Sequence, residues 1–266
     1  MSLPEPTRIT SRDNPLLQRL RKLQRDGGGY RESGQAWLEG EHLCSALRSR
    51  GLRPAQALIA DSAWQQPALR QLAQWAARVV TVPDALFDGI STLPSPARIG
   101  FLWSLPPAAA LQPDEPTVVL DRLQDAGNVG SVLRSAAAFG FRQVLALRGT
   151  ALLWSPKVLR AGMGAHFSLH LVEGLDREQL AALNVPLVGT SLQARDELHR
   201  SRLPWPCAWL LGHEGQGADP ALLQRCALSV RIAQPGGEES LNVAAAAAVC
   251  LYESSRQALA AAGGAQ

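Results

Sequence analysis

Apolar residues gather in short runs along the whole chain, and polar or helix-patterned stretches separate these runs. Short apolar runs between turn signals fit buried strands, and the segments between them are long enough for helices. The runs that we interpret as strands are 57–60, 79–82, 99–103, 118–120, 144–147, 187–188, 208–211 and 228–232. Alternation of strands and helices predicts an α/β fold, with a mainly parallel, helix-covered sheet in the second half of the chain.

Helix signals are clearest near the two ends of the chain. Asn14-Pro15 combines a capping residue with a proline at the first helical position, and leucines follow on one side. A second helix is expected over 41–50, where Gly51 supplies a stop. The last helix, predicted over 241–259, contains five consecutive alanines, whose small side chains permit close packing on a neighbour.

Proline marks the predicted domain boundary. Residues 104–116 contain four prolines in thirteen positions and show no periodicity, which is typical of a stiff linker. We therefore predict a small N-terminal α/β domain over 1–105, a linker over 106–116 and a C-terminal α/β domain over 117–266.

Composition and charge limit the function classes. Hydrophobic residues make up 46% of the chain and charged residues 18%, which suits a packed core and argues against global disorder. The net charge is +3, yet residues 1–53 alone hold ten Lys/Arg against six Asp/Glu. This basic excess is consistent with contact to a polyanion and equally with an ordinary solvated helix face.

Metal and membrane signals are missing from the sequence. The four cysteines form no CxxC pair and the five histidines no HExxH, so we expect no metal and interpret the cysteines as buried or idle thiols. No apolar run approaches the roughly 20 residues that cross a bilayer, and the first residues lack a signal-peptide pattern. We therefore expect no membrane association and a cytoplasmic location.

Three stretches rich in glycine and polar residues each follow a predicted strand, at 121–134, 211–217 and 232–242. Open α/β sheets bind ligands beyond the carboxyl ends of their strands, so these loops form the candidate site. Arg134 offers a planar, permanently charged fork to phosphate. Glu214 is the only charge in the second stretch.

Each stretch also has an ordinary structural explanation when taken alone. Arg134 can be an exposed helix arginine, and glycine-rich turns are common. Ser240 and Asn242 stand where helix-capping residues belong. The dinucleotide-binding GxGxxG, the Walker pattern and the GxSxG elbow are absent, which disfavours an ordinary doubly wound nucleotide-binding enzyme and a serine hydrolase.

Taken together, the three stretches resemble a known family. NVGSVLR (128–134), LGHEGQG (211–217) and IAQPGGEESLNVAAAAAV (232–249) are similar to the three ordered motifs of the SpoU (TrmH-like) class of SPOUT RNA methyltransferases. KVLRAGMGA (157–165) resembles the segment between the first two motifs. The resemblance covers roughly 115–260, and the N-terminal part more loosely resembles the substrate-binding domain of ribosomal-RNA members.

The resemblance implies a SPOUT α/β domain with a deep trefoil knot, a homodimer with its active site near the interface, and methylation of a ribose 2′-hydroxyl in RNA. It implies S-adenosylmethionine as cofactor and ribosomal RNA more than transfer RNA as substrate. By resemblance the catalytic group comprises Arg134, Glu214 and Asn128. The residues that it assigns to the cofactor are Thr190, Gly212, Ile232, Leu241, Ser240 and Asn242.

For catalysis, we expect Arg134 to hold a phosphate and stabilise the developing alkoxide, with Glu214 positioning its guanidinium and Asn128 orienting the ribose. A guanidinium with a pKa above about 12 is a poor literal base. In the N-terminal domain, we expect Arg19, Lys22, Arg25 and Arg31 to hold structured RNA through its backbone.

Two alternatives remain within the same fold: a transfer-RNA 2′-O-methyltransferase, and an RNA-binding module that has lost methyl transfer. The chain also departs from common family residues at Ala233-Gln234, at Ala244 and at Gly162. None of these departures removes the proposed catalytic group.

Overall fold

The computed structural model describes residues 5–107, 109–237 and 240–263. Contacts divide the chain into two compact units. The first consists of residues up to Pro107 together with Trp154–Phe167, and the second of Ala108–Leu153 together with the residues from Ser168 onward. Each unit is an α/β structure built around its own sheet.

The described strands and helices alternate along both units. The strands are β1 (Thr7–Arg8), β2 (Gln35–Glu39), β3 (Gln56–Ala60), β4 (Arg78–Val82), β5 (Ile99–Ser104), β6 (Thr117–Leu120), β7 (Gln143–Leu147), β8 (His170–Leu175), β9 (Leu187–Thr190), β10 (Asp196–Glu197), β11 (Ala208–Leu211) and β12 (Leu228–Arg231). The helices are α1 (Pro15–Arg25), α2 (Gly29–Ser33), α3 (Glu41–Ser49), α4 (Asp61–Trp64), α5 (Pro67–Ala73), α6 (Asp84–Asp88), α7 (Ala126–Ala138), α8 (Pro156–Gly162), α9 (Pro220–Gln224) and α10 (Val243–Gly263).

The sheet of the first unit is mixed. Its five strands lie in the order β1-β4-β3-β5-β2. β3 pairs with β4 in parallel, whereas β5 runs antiparallel to both of its neighbours, β2 and β3. The apolar runs that predicted β3, β4 and β5 all form strands, so those three predictions are confirmed.

The first helix, α1, begins where the sequence predicts. The Asn14 side chain accepts a hydrogen bond from the backbone N–H of Leu16 at 2.9 Å, and Pro15 opens the helix. Leu17, Leu20 and Leu23 are buried on one side. The basic side chains of this helix are therefore left to the solvent side or to partners on the surface.

Trp154–Phe167, which includes α8, packs with the first unit although the sequence analysis assigned it to the second domain. Aromatic rings account for much of this packing. The ring centroids of Trp103 and Trp154 lie 5.5 Å apart, and those of Trp103 and Phe167 lie 5.4 Å apart in an edge-to-face arrangement. Contacts between residues that are far apart in sequence therefore define a different division of the chain from the one that the proline-rich segment predicts.

The second unit contains a seven-stranded sheet in the order β10-β12-β9-β11-β6-β7-β8, and every pairing in it is parallel. The predicted parallel sheet is therefore confirmed. Its central strands are covered on both faces, which explains their near-continuous apolar sequences. Val119, Leu145 and Leu210 are completely buried in this core.

Helix α10 packs on this sheet and against α7. The indole N–H of Trp209, in β11, donates to the Ser254 hydroxyl at 2.8 Å, and both residues are buried. Ala247 is also fully buried, so the alanine run does supply a close-packing surface. The helix starts at Val243, two residues after its predicted start, because Asn242 caps it.

The predicted linker is irregular in structure, and its second half belongs to the second unit. Ala109 and Leu111 pack partly buried against the core there. The Gln143 side chain accepts from the backbone N–H of Gln112 at 2.7 Å. Residues 109–116 are thus held in place and do not act as a free tether.

All four cysteines are free thiols: Cys44, Cys207 and Cys250 are buried and Cys226 is half-buried. Burial raises the pKa of Cys207 and of Cys250 to about 12. Such thiols stay protonated and unreactive near neutral pH, as the sequence analysis expects.

Candidate active site

A cavity of about 520 Å³ lies in the second unit, at the carboxyl ends of the adjacent strands β12, β9 and β11. Loops that leave these strands form most of its wall, and the start of α10 completes it. Its lining residues include Thr190, Gly212, Glu214, Ile232, Gln234 and Leu241. Its position is the one where open parallel sheets bind ligands.

A relay of three polar side chains joins the loops around this cavity. The Asn242 side-chain amide donates to the side-chain oxygen of Asn128 at 2.9 Å. The Asn128 amide in turn donates to the Glu214 carboxylate at 3.3 Å. The relay connects the start of α10, the first turn of α7 and the loop after β11, so all three glycine-bearing stretches meet here.

Glu214 also anchors the loop that leads into α7. Its carboxylate accepts hydrogen bonds from the backbone N–H groups of Gln124 and Asp125, at 3.3 and 3.2 Å. Burial opposes ionisation of this carboxyl group, but the backbone and Asn128 hydrogen bonds outweigh it and lower the pKa of Glu214. Glu214 is therefore ionised at neutral pH and joins two loops through its hydrogen bonds.

Helix caps fix the two asparagines of the relay. Asp125 is the N-cap of α7, and its carboxylate accepts from the backbone N–H of Asn128 at 2.7 Å. Asn242 caps α10 by accepting from the backbone N–H of Ala244 at 2.9 Å. Asn242 therefore has two roles at once. Its side-chain oxygen caps α10, and its side-chain amide group donates to Asn128.

The loop after β11 closes as a tight turn. Backbone hydrogen bonds join His213 and Gly217 in both directions, at 2.8 and 3.1 Å. A ring nitrogen of His213 accepts from the backbone N–H of Gly215 and of Gln216. Gly217 has φ +72°, a conformation that glycine adopts without strain. This turn presents Glu214 to the relay.

Gly212 is required by the close approach of two backbone segments. A Cβ at this position would lie 2.0 Å from the backbone nitrogen of Ala218 and 2.3 Å from the carbonyl carbon of Gly217. Any side chain there would displace main-chain atoms that border the cavity. The glycine therefore shapes the cavity wall, as the sequence pattern suggests.

A buried carboxylate ties the loop after β6 to the loop after β11. Asp121 is 3% exposed and accepts from the guanidinium of Arg122 at 2.9 Å and from the backbone N–H of Asp219 at 2.7 Å. Arg122 also donates to the side-chain oxygen of Gln216 at 3.3 Å. Charge-assisted hydrogen bonds thus fix the loop after β11, which lines the cavity, to the loop after β6.

The cavity suits a ligand of nucleoside size with both apolar and polar parts. Its volume falls within the range of about 300–1,000 Å³ that is typical of small-molecule sites. Ile232 and Leu241 offer apolar contacts, and Thr190 and Ser240 offer hydroxyls. The side-chain oxygen of Gln234 is buried and has no hydrogen-bond partner among the described residues, which is the state expected of a ligand contact.

Most of the site residues named from the sequence lie together. Glu214 lines the cavity, and the relay links Asn128 and Asn242 to it. The predicted cofactor residues that line the cavity are Thr190, Gly212, Ile232, Ser240 and Leu241.

Arg134 is not part of this group within one chain. It lies in α7, its side chain is exposed, and it makes no hydrogen bond or ion pair with the residues that the structure describes. Glu214, which we expected to position its guanidinium, instead contacts Asn128 and the backbone before α7. A single chain therefore presents the cavity without the arginine.

The four basic residues named in the N-terminal part belong to the first unit. Arg19 donates to the side chain of Gln35 at 3.2 Å, and Lys22 pairs with Glu32 at 2.6 Å. The hydrogen bond and charge of Glu32 raise the pKa of Lys22. Arg25 is exposed, and the Arg31 guanidinium lies 5.9 Å from the centroid of the neighbouring Tyr30 ring.

Sequence reasoning missed several residues of the cavity wall. The loop after β9 contributes Ser191, Leu192 and Gln193, and the loop after β12 contributes Gln234. A signal for the first group exists, because a polar stretch follows directly on a buried strand there, as in the three stretches that were recognised. Gln234 appeared only as a departure from the common family residue.

Neither a metal site nor a membrane span is found in the described parts of the chain. No group of three or more His, Cys, Asp or Glu residues that could hold a metal occurs in them. None of the helices described there combines the length and apolar character needed to cross a bilayer.

Known proteins resemble this chain over most of its length. An uncharacterized tRNA/rRNA methyltransferase of Synechocystis sp. is 33% identical over 262 residues, which covers 94% of this chain and 93% of the relative. A 23S rRNA (guanosine(2553)-2′-O)-methyltransferase of Bacillus subtilis is 30% identical over 219 residues, or 81% of this chain and 86% of the relative.

A solved structure and a family model agree with these relatives. The crystal structure of an RNA 2′-O ribose methyltransferase matches with a TM-score of 0.79 and 31% identity, over 95% of this chain and all of that one. The sequence model of the SpoU rRNA methylase family matches residues 115–252, which include the three stretches around the cavity. This chain therefore belongs to the SpoU rRNA methylase family.

Proposed function

We propose that this protein methylates a ribose 2′-hydroxyl of ribosomal RNA with S-adenosylmethionine as the methyl donor. The observation that carries the proposal is the relay of Asn242, Asn128 and Glu214, which gathers three loops around one nucleoside-sized cavity. The named relatives act on ribosomal RNA or are described as tRNA/rRNA methyltransferases.

The residues present fit the cofactor. Ile232 and Leu241 would contact the adenine ring, the hydroxyls of Thr190 and Ser240 would reach polar groups, and the unpartnered oxygen of Gln234 would accept a hydrogen bond. When bound, the cofactor supplies a methyl group on a positively charged sulfur. The backbone at Gly212 leaves room for close approach because no side chain intervenes.

The chain's own groups must orient the ribose and manage its proton. A 2′-hydroxyl is a weak nucleophile until its oxygen is held in line with the methyl carbon and its proton begins to leave. Asn128, fixed by Asp125 and Glu214, orients the ribose. Arg134 holds the neighbouring phosphate and stabilises the negative charge that develops on the oxygen.

Because Arg134 does not line the cavity of its own chain, we place it in the site of a second protomer within a homodimer. α7 carries Arg134 and packs against α10, and α10 exposes the apolar side chains of Val249, Tyr252 and Leu259 at 42%, 54% and 71%. Exposed apolar groups of this kind are typical of an interaction surface. Light scattering after size exclusion tests the dimer.

A complementation experiment tests the role and the place of Arg134. Arg134→Ala and Gly212→Ala each inactivate a homodimer, the first by loss of the guanidinium and the second by loss of the cofactor cavity. A heterodimer of the two variants contains one complete site and regains methyl transfer. If it stays as inactive as either homodimer, Arg134 does not act across the interface.

Arg134→Lys provides a finer test. Lysine keeps the charge but loses the planar fork, so turnover should fall by about a hundredfold or more while the affinity for S-adenosylhomocysteine changes little. Near-normal methyl transfer by Arg134→Ala would exclude any catalytic role for this residue.

We further propose that the first unit binds structured RNA through Arg19, Lys22, Arg25 and Arg31. Lys22 must exchange Glu32 for phosphate, and this pair is exposed, so the exchange costs little. Replacing Arg19 and Arg25 by alanine should weaken RNA binding and reduce its salt dependence. An RNA affinity that is the same at low and moderate salt would contradict this assignment.

Two structural features complete the proposal. By family resemblance, the C-terminal segment passes through a loop to form a deep trefoil knot, and insertion of β12 between β9 and β10 is consistent with such a path. An experimental density map that traces the segment outside that loop would overturn it. We also place the protein in the cytoplasm.

One experiment separates the remaining functions. Ribose-methylation mapping of ribosomal and transfer RNA from cells with and without the gene should reveal a missing 2′-O-methyl group in ribosomal RNA. A missing group in transfer RNA would move the substrate assignment, and no difference in either RNA would favour an inactive RNA-binding module.

A further inference from the structure

A second cavity, of about 460 Å³, lies in the second unit beside the edge strand β10. Nothing in the motif pattern accounts for it. We call it the arginine cleft, and its lining residues are Arg195, Asp196, Glu197, Arg200, Ser201, Arg202, Leu228 and Arg231.

The cleft has an excess of positive charge. Four guanidinium groups face two carboxylates, those of Asp196 and Glu197. Glu197 alone orients two of the arginines, at 2.9 Å from Arg231 and 3.5 Å from Arg200. His199 lies 3.6 Å from the same carboxylate.

The remaining two arginines are uncommitted. Arg195 and Arg202 are exposed, and neither forms a hydrogen bond or ion pair with the residues that the structure describes. Their charges therefore contribute nothing visible to the fold. Arg195 and Arg202 thus line the cleft without an ion-pair partner among the described residues, and their planar forks match phosphate oxygens.

The arginine cleft and the active-site cavity share one lining residue. Arg231 ends β12 and lines both cavities, and Ile232, which lines the active-site cavity, follows it directly in sequence. An anion in the cleft can therefore contact the same arginine that borders the active-site cavity. An RNA strand presents this combination, since each ribose is flanked by phosphates.

The geometry points to the arginine cleft as a binding site for backbone phosphates of the substrate RNA, next to the nucleotide whose ribose enters the active-site cavity. This inference rests on the proposed function. Because its guanidinium groups contact phosphates, the cleft recognises the charge and spacing of the RNA backbone and does not distinguish between bases. Free inorganic phosphate shares this chemistry, and the experiment separates the two sources.

The double variant Arg195→Ala/Arg202→Ala tests the site. Both side chains are exposed and unpartnered, so the fold should be unaffected. We expect the KM for an unmodified large-subunit ribosomal RNA transcript to rise about tenfold, with little change in kcat, and the salt dependence of RNA binding to fall by about one unit of slope for each lost contact. The affinity for S-adenosylhomocysteine should stay at its original value.

A matched control uses two arginines on the far side of the same sheet. Arg142 and Arg148 are exposed and flank β7, five places from β10 in the strand order. Arg142→Ala/Arg148→Ala removes the same charge, and the ion pair of Arg148 with Asp176 that it breaks is exposed and contributes little to stability. We expect this variant to keep the original KM and salt slope. An equal rise in KM and an equal fall in salt slope in both double variants would show a general effect of charge and would contradict the proposed phosphate site.

The outcomes also separate this inference from the proposed function. If the unaltered protein transfers methyl groups and the cleft variant matches it in KM and salt slope, the cleft is not an RNA site and the proposed function stands. If the unaltered protein transfers none, the proposed function fails, and RNA affinity measured by fluorescence anisotropy still decides the cleft. Binding of inorganic phosphate with unchanged RNA affinity would assign the cleft to small anions.

Discussion

Gly212 leaves β11 at the point where the backbone of Gly217 and Ala218 folds back against it. Gly212→Ala would place a methyl group 2.0 Å from the Ala218 nitrogen, so main-chain atoms at the cavity must move. Overpacking of this kind costs about 1–3 kcal/mol of unfolding free energy. We expect Gly212→Ala to lose binding of S-adenosylhomocysteine in calorimetric titration.

Gly215 supplies the control, since it lies in the same turn and a Cβ there would meet only the His213 ring, at 3.8 Å. Gly215→Ala should bind the cofactor product normally. Equal loss of binding in both variants would mean that the turn needs flexibility and not the close approach at Gly212.

The single residue Glu214 makes a pH-dependent contribution to the stability of the fold. Because hydrogen bonds in the fold lower the pKa of Glu214 below its ordinary value, its contribution to stability is present above that ordinary value and is lost as the pH falls through the folded pKa. Glu214→Gln should therefore be less stable than the original protein in urea at neutral pH, and this difference should shrink at about pH 3.

Other carboxyl groups titrate in the same range, so a control is needed. The Glu115 carboxylate makes no hydrogen bond or ion pair among the described residues, and Glu115→Gln should follow the original protein at every pH. A stability difference for Glu214→Gln that is constant from neutral to acidic pH would contradict a stabilising role of the ionised Glu214 carboxylate.

At the scale of elements, a buried polar contact helps to hold α10 to the sheet. Ser254→Ala removes the acceptor of the Trp209 indole N–H, which then lies buried without a partner. We expect a loss of about 1–3 kcal/mol in urea denaturation. Ser255→Ala, on the same helix at a half-buried position, should change stability by less than about 0.5 kcal/mol.

The success of sequence reasoning also varied by element. Strands buried on both faces, such as β6, β9 and β11, have apolar sequences that predict them directly. The edge strands β2 and β8 were missed, because β8 alternates in burial and β2 ends in a glutamate. Glu39 is buried there through hydrogen bonds with Gln24 and Ser91, which lie far away in sequence.

The same limit applies to the site. Glycine and polar residues after strands predicted the loops, since a chain must turn at a sheet edge. The Asn128–Glu214 and Asn128–Asn242 hydrogen bonds span 86 and 114 residues, and only the strand order brings them together. Local sequence contains no information on that order. The family resemblance grouped Arg134 with Glu214 and Asn128, and a single chain does not bring Arg134 into contact with them.

At the scale of the whole molecule, the first unit depends on a segment that follows it far along the chain. Trp154 and Phe167 pack on Trp103, and α8 packs on β2. A fragment of residues 1–107 lacks all of these contacts. Burial of large aromatic groups contributes several kcal/mol, so this fragment should be markedly less stable than the same residues in the full chain.

Trp103 is only 9% exposed in the complete unit, and the fragment would uncover it. In the fragment, the combined fluorescence of Trp37, Trp64, Trp75 and Trp103 should shift toward longer wavelength, and the hydrophobic dye ANS should bind. The full chain with Trp154→Ala should bind an intermediate amount of ANS, since Trp103 loses one ring contact while α8 remains. The fragment could instead unfold at the same urea concentration as the first unit of the full chain and bind no dye. In that case residues 154–167 do not stabilise the first unit, and the folding domain ends at the proline-rich boundary near residue 106.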